Sequence, residues 1–239
     1  MKKWSIFLFT AFFLPSVSFA QKVPKKDYLV TLQTDFGTMK LILFDDTPLH
    51  KANFIKLAQD KFYDGLLFHR IIERFMIQGG DPNSRDAKPG QKLGSGGDNL
   101  ERIPFEFTSN HIHRKGALAA ARDNNPEKKS SAYQFYIVQG KTFTDDELTA
   151  LAAKNKMEYT TAQRRDYMIL GGTPHLDNNY TVFGQVIDNL PVVDLIAKQT
   201  KDKADRPVND IKMNVSVEKM KRKKITRLYG YKYKSTTQK

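Results

Sequence analysis

The chain has 239 residues, 40% of them hydrophobic, and a formal net charge of +13. That is enough apolar material for one sizeable domain with extensions. It contains no cysteine, which excludes disulfides, thiol catalysis and thiolate metal sites. The charge is not a property of the domain: residues 219–239 carry nine Lys or Arg and no acid, the N-terminus adds Lys2 and Lys3, and the remainder is nearly balanced.

At the N-terminus, Lys2 and Lys3 precede an apolar run from Ile6 to Leu14. Pro15 breaks the run, and Ser18-Phe19-Ala20 places small residues three and one before a cut. Residues 1–20 have the layout of a secretory signal peptide of bacterial type, because the run is too short to span a ~30 Å hydrocarbon core as a helix. The expected mature chain starts after Ala20 and is exported, to the periplasm or the exterior.

Residues 28–44, YLVTLQTDFGTMKLILF, hold two alternating runs around Asp35-Phe36-Gly37 and suit a β-hairpin. Thr47-Pro48 then begins a helix, with Thr as N-cap and Pro at the first helical position. Phe54, Leu57, Ala58 and Phe62 form its apolar stripe, and Tyr63-Asp64-Gly65 ends it. Short β-rich runs follow at 67–72, 74–78, 104–107, 116–121, 133–139 and 180–187, with a last one through Met213, Val215 and Val217. A short helix fits Pro191 to Ala197. Many short strands with two helices point to a mainly β fold, a closed antiparallel barrel with helical caps.

Residues 141–173 break this rhythm. Thr144 and Glu147 form a capping-box pattern, Leu148, Leu151 and Ala152 a weak stripe, and a second helix starts near Thr160 or Thr161 and stops at Gly171-Gly172. This region reads as a helical-hairpin insertion in a barrel loop. It ends at His175, and it either shapes a neighbouring groove or is an ornament that aids solubility.

The stretch FHRIIERFMIQGGD (68–81) carries the chemistry. Strand spacing puts Phe68, Arg70 and Ile72 on one face of their strand, and likewise Met76 and Gln78 on one face of theirs. An arginine among large apolar residues is costly when plainly buried. It is tolerable in a concave groove that binds peptide groups, or as a snorkelling side chain on an ordinary hairpin.

This stretch resembles the signature of the cyclophilin-type peptidyl-prolyl cis–trans isomerases. GSGGD (94–98), GALAAAR (116–122), YQFYIV (133–138) and HLDNNYTVFGQV (175–186) follow in the family's order along most of residues 29–218. The resemblance implies an eight-stranded antiparallel closed barrel capped by two helices, spanning residues 21–218 with the insertion at 141–173 and a basic tail at 219–239. It implies isomerisation of X–Pro bonds, with no cofactor and no metal. Arg70 would be the catalytic arginine. Phe75, Met76, Tyr136 and Leu176 would form the proline pocket, and Gln78 would bind substrate or orient Arg70. Ala121, the Arg122 backbone and Gln134 would line the peptide groove, with Gly94 at its rim and Tyr180 at the pocket's edge.

The sequence departs from the best-known members at several of these positions. Tyr136 stands in place of phenylalanine, Arg122 of asparagine, His175 of tryptophan and Tyr180 of histidine, which puts substrate preference and cyclosporin sensitivity in question. The expected partners are proline-containing peptides and unfolded exported proteins. A groove without turnover would instead serve as a proline-peptide binding module or chaperone; the joint presence of Arg70, Phe75, Met76 and Gln78 favours the enzyme.

Outside these motifs, His111 and His113 lack a third ligand nearby and read as loop or strand-end residues rather than a metal site. Asp45-Asp46 reads as a solvated turn. The tail reads as a solvated, poorly ordered extension with a possible weak attraction to anionic surfaces; an exported chain seldom meets nucleic acid, and none is expected as a partner.

Overall fold

The computed structural model describes residues 24–97 and 102–233. The expected signal peptide and the end of the basic tail lie outside these residues. Eight strands form one antiparallel sheet in the order β3-β4-β6-β5-β7-β2-β1-β8. They are β1 (Lys26–Thr34), β2 (Gly37–Leu43), β3 (Arg70–Ile72), β4 (Met76–Gly79), β5 (Ala117–Ala120), β6 (Phe135–Val138), β7 (Val182–Asp188) and β8 (Asn214–Lys221). The ends of this order, β3 and β8, do not pair with each other. The seam is drawn together just before them, where Phe68 N donates to Ile211 O (2.9 Å) and Met213 N to Leu66 O (2.8 Å). A β3 of three residues is too short to complete the seam by itself.

The alternation of each strand sorts its side chains between two faces. Val30 and Leu32 of β1, Met39, Leu41 and Leu43 of β2, Leu118 of β5, and Phe135 and Ile137 of β6 point inward to one large core. Helix α1 (Pro48–Gln59) adds Phe54, Leu57 and Ala58 to that core, and α4 (Pro191–Ala197) adds Val192, Val193 and Ile196. These are the two caps read from the sequence.

Three local readings are corrected. The α1 helix stops at Gln59, and Phe62 packs from the following turn, where Lys61 has φ +55° and Phe62 stacks on Tyr133. Thr47 occupies the N-cap position without capping; its hydroxyl donates to Phe44 O, and the free amides of Leu49 and His50 donate to Glu106 instead. Residues 104–107 are not a strand: only Ile103 forms a bridge, to Ser130, and Phe105 stays exposed, stacked on Phe107. Alternation there did not mean burial.

The tail differs most from its sequence reading. β8 continues through Lys221, across the expected boundary, and Arg222–Tyr229 form a helix, α5. Ile225 is fully buried against Leu29, Ile42 and Met220, with Tyr229, Tyr231 and Tyr233 packed around them. Leu29 and Ile42 are apolar residues on the outward face of β1 and β2, and that face needs a cover. Arg222 anchors the helix through Asp45 and, at 3.6 Å, the buried Asp27. Lys223, Lys224 and Arg227 remain on its exposed side.

If α5 is part of the folded unit, Ile225→Ala should destabilise the protein by about 2–4 kcal/mol, the cost of emptying a buried aliphatic site. Urea unfolding of the two proteins measures this, and an unchanged midpoint would restore the view of a detached tail.

Candidate active site

Residues directly opposite each other in antiparallel strands point to the same side of the sheet. The register pairs Arg70 with Gln78, Gln78 with Tyr136, Tyr136 with Ala119, and Ala119 with Val182. One row of outward side chains therefore crosses five strands. A neighbouring row runs through Ile72, Met76 and Val138. Phe68 is not part of this face, contrary to the spacing argument. It precedes β3, in the seam segment, and is fully buried in the main core.

The two rows form a second apolar cluster, separate from the barrel interior. Met76, Ala117, Ala119, Ala121, Tyr136, Val138 and Val182 are its buried members, and Phe75, Leu176 and Tyr180 pack against them half-buried. Phe75 comes from the β3–β4 turn. Leu176 and Tyr180 come from the segment between the insertion and β7, where a single 3-10 turn covers Pro174–Leu176. The His175 ring stacks on Phe75 with centroids 5.7 Å apart, and Tyr180 meets Tyr136 edge-on at 6.0 Å. Arg122 lays its guanidinium 4.6 Å from the Tyr180 ring centroid and donates from Nε to Asn179 O.

Beside this apolar surface runs a chain of polar groups. Arg70 Nη1 donates to Gln78 Oε1 (3.3 Å), and Gln78 Nε2 donates to Gln134 Oε1 (3.1 Å). Gln134 Nε2 then donates to the carbonyls of Gly94 (3.0 Å) and Gly96 (3.1 Å). On its other side Arg70 Nε lies 3.9 Å from Asp205 Oδ2. All twelve residues singled out from the sequence thus fall on this face or its rim.

Four supporting residues were not assigned to the site from the sequence. Asp81 is completely buried and accepts from the amides of Asn83, Gly94 and Gly96, fixing the glycine loop that Gln134 grips. Gly80, between Gln78 and Asp81, has φ +90°, and a Cβ there would sit 2.3 Å from Tyr133 O, so no other residue fits that turn. His113 and Asp177, both buried, stand behind Tyr136, with His113 Nε2 3.0 Å from the phenol oxygen. The clue was Tyr136 itself, since a buried phenol requires a partner. His111, by contrast, stacks on Phe44 and pairs with Asp46, so the two imidazoles serve different neighbours. Among the described residues no cluster of metal-ligating side chains occurs.

Burial perturbs three nearby groups. Tyr136 is held well above the ordinary phenol range, first by burial and then by Tyr180 and Asp177. His175 is lowered by burial, with a further contribution from His113. His69, next to Arg70, is brought down to about 4, mainly by burial and also by the charges of Arg70 and Arg206, against an opposing pull from Asp81. A cleft of about 600 Å³ lies elsewhere, lined by β2 residues, the insertion and Tyr231 and Tyr233. It shares none of the twelve residues.

The cyclophilin type peptidyl-prolyl cis-trans isomerase family model matches residues 29–217. A Staphylococcus aureus protein named as a peptidyl-prolyl cis-trans isomerase is 34% identical over 194 residues, covering 80% of this chain and 91% of the relative. A Streptococcus pyogenes protein named as a bifunctional phosphatase/peptidyl-prolyl cis-trans isomerase is 38% identical over 190 residues, and the match spans 76% of this chain but only 37% of that longer protein. A crystal structure of a Cryptosporidium parvum cyclophilin type isomerase in the presence of the dipeptide Ala-Pro superposes with a TM-score of 0.56 at 22% identity, over 80% of this chain and 98% of that one. The chain belongs to the cyclophilin-type peptidyl-prolyl cis–trans isomerases. Its reaction is the isomerisation of X–Pro peptide bonds.

Because His69 binds its proton at about pH 4 when folded and near 6.5 when unfolded, the unfolded chain holds more protons between these values. Stability therefore rises with pH across that window, is complete above about 6.5, and falls by about 3 kcal/mol on acidification to 4. Urea unfolding at pH 7 and 4.5 should show a steeper pH dependence for wild type than for His69→Gln; equal slopes would contradict the assignment.

Proposed function

We propose that Arg70 is the catalytic group and that Phe75, Met76, Tyr136 and Leu176 hold the substrate's proline ring. The observation that carries this reading is the cross-sheet row in which a donor-rich, Gln78-oriented guanidinium borders the apolar cluster. An amide resists rotation because the nitrogen lone pair is delocalised into the carbonyl, with a barrier of ~18–20 kcal/mol. In the twisted state the carbonyl has lost conjugation, and the prolyl nitrogen is pyramidal and basic. No bond breaks, so neither nucleophile nor metal is required.

A guanidinium is a permanently charged, planar fork of donors. Beside the prolyl amide it can hydrogen-bond the carbonyl neighbouring the proline and face the nitrogen as its lone pair localises. Those interactions are stronger in the twisted state than in the planar one, which is what lowers a barrier. The apolar cluster holds the ring while the preceding carbonyl swings. Ala121, the backbone of Arg122, and Gln134 hold the chain alongside, with Gly94 at the rim. Each tenfold in rate takes about 1.4 kcal/mol, the scale of one or two aimed hydrogen bonds. The presence of Ala-Pro with the Cryptosporidium relative supports a proline-peptide substrate here.

The clients we assign are unfolded exported proteins, on the strength of the signal-peptide layout of residues 1–20. N-terminal sequencing of the protein recovered from a secreting host should read from Gln21, and retention of Met1 through Ala20 would remove the exported assignment. In a protease-coupled assay on a short proline peptide, Arg70→Ala should lose at least about a hundredfold in kcat/KM with the fold retained. Near-normal turnover would refute the role of Arg70, and a wild type that binds the peptide without turnover would make the protein a binding module.

A further inference from the structure

The insertion is docked, not appended. Its helices α2 (Asp145–Asn155) and α3 (Thr161–Ile169) begin with complete capping boxes at Thr144 and Thr160. Leu148, Met157 and Tyr167 form a small core with Ile112, the residue before His113. The return at Gly172 is tight: a Cβ there would lie 2.3 Å from His113 O and 2.5 Å from the Tyr167 ring. The hairpin is thus built directly against the segment that carries His113.

Inside this contact lies a continuous hydrogen-bonded chain. Asp177 is buried, and its two oxygens divide the work. Oδ1 accepts from His113 N (2.9 Å) and faces His113 Nδ1 (2.7 Å). Oδ2 accepts from the hydroxyls of Tyr167 (2.6 Å) and Tyr159 (2.7 Å), both in the insertion. A carboxylate removed from water needs this full set of donors. With Nδ1–H committed to Asp177, His113 presents Nε2 as an acceptor to the Tyr136 hydroxyl (3.0 Å). Tyr136 is a buried member of the apolar cluster. A second tie runs beside the first: Asn155 Nδ2 donates to Pro174 O (2.7 Å), immediately before His175 and Leu176, and Tyr159 Oη lies 3.3 Å from the same carbonyl.

We propose that the hairpin is a positioning element of the proline pocket: Tyr159 and Tyr167 fix Asp177, Asp177 fixes His113, and His113 fixes the axis and tilt of the Tyr136 ring. This rests on the assignment of Tyr136 to the pocket made above. A wall held at its far end by a buried polar chain is preorganised, and small displacements of such a wall are expensive for a reaction that depends on geometry. None of these four supporting residues touches the groove, so they act through Tyr136. A phenylalanine at position 136 has no oxygen to hold, and it would cut the Tyr136 ring off from His113 and Asp177.

The test is a double-mutant cycle on purified full-length protein, reading kcat and KM for a proline peptide together with urea unfolding. Tyr167→Phe removes one hydroxyl and no packing. It should lower kcat/KM about five- to tenfold with Tyr136 present, and less than about twofold in the Tyr136→Phe background. Tyr159→Phe, at a half-buried position, repeats the measurement should Tyr167→Phe not fold. Equal losses in both backgrounds, or no loss in the first, would overturn the proposal and leave the hairpin a stability element. Activity surviving in Arg70→Ala would instead sink the site assignment, so the two failures are distinct.

Discussion

A strand sends successive side chains to opposite faces, and in this sheet both faces are largely apolar where they matter. Inward residues such as Ile71, Ile77, Leu118 and Ile137 fill the barrel. Outward residues one position away must find another use. Over β4, β5, β6 and β7 they form the cluster around Met76 and Tyr136; over β1, β2 and β8 they are roofed by α5. The groove and the C-terminal helix are two answers to one problem, apolar side chains on the outside of a barrel.

The groove's polar border obeys the same rule. Arg70 and Gln78 face each other across one hairpin and Tyr136, distant in sequence, lies opposite Gln78 in register, so the ladder sets their spacing without help from a flexible loop. Gly94 and Gly96 come from an irregular segment, and Asp81 pins that segment through their two amides. Two off-strand parts of the site have a buried carboxylate behind them: Asp81 for the glycine loop, Asp177 for the segment bearing Leu176 and Tyr180. Each carboxylate is reached by several donors, which is the condition for keeping it out of water.

The departures from the best-known family members also form a connected set. Tyr136 adds a hydroxyl, and His113 receives it. Tyr180 meets the ring of Tyr136, and Arg122 lies over Tyr180. His175 takes up the Phe75 ring. Each change introduces a group that the neighbouring one accommodates, so this end of the groove is best described as a single repacked wall joined to the insertion.

The sequence by itself determined the family, the α1 and α4 caps and the capping box at Thr144, because these depend on short-range spacing and on motifs that survive as linear text. It could not show that residues 222–229 fold onto the barrel, since the outward apolar positions Leu29 and Ile42 announce a need for cover but not what supplies it. Nor could it link Tyr159 and Tyr167 to Tyr136, because that link passes through His113 and Asp177, which come from two other segments. Long-range hydrogen bonds leave no periodicity in a chain. Only the folded barrel, by bringing His113, Tyr159 and Tyr167 to one buried carboxylate, joined the insertion to Tyr136.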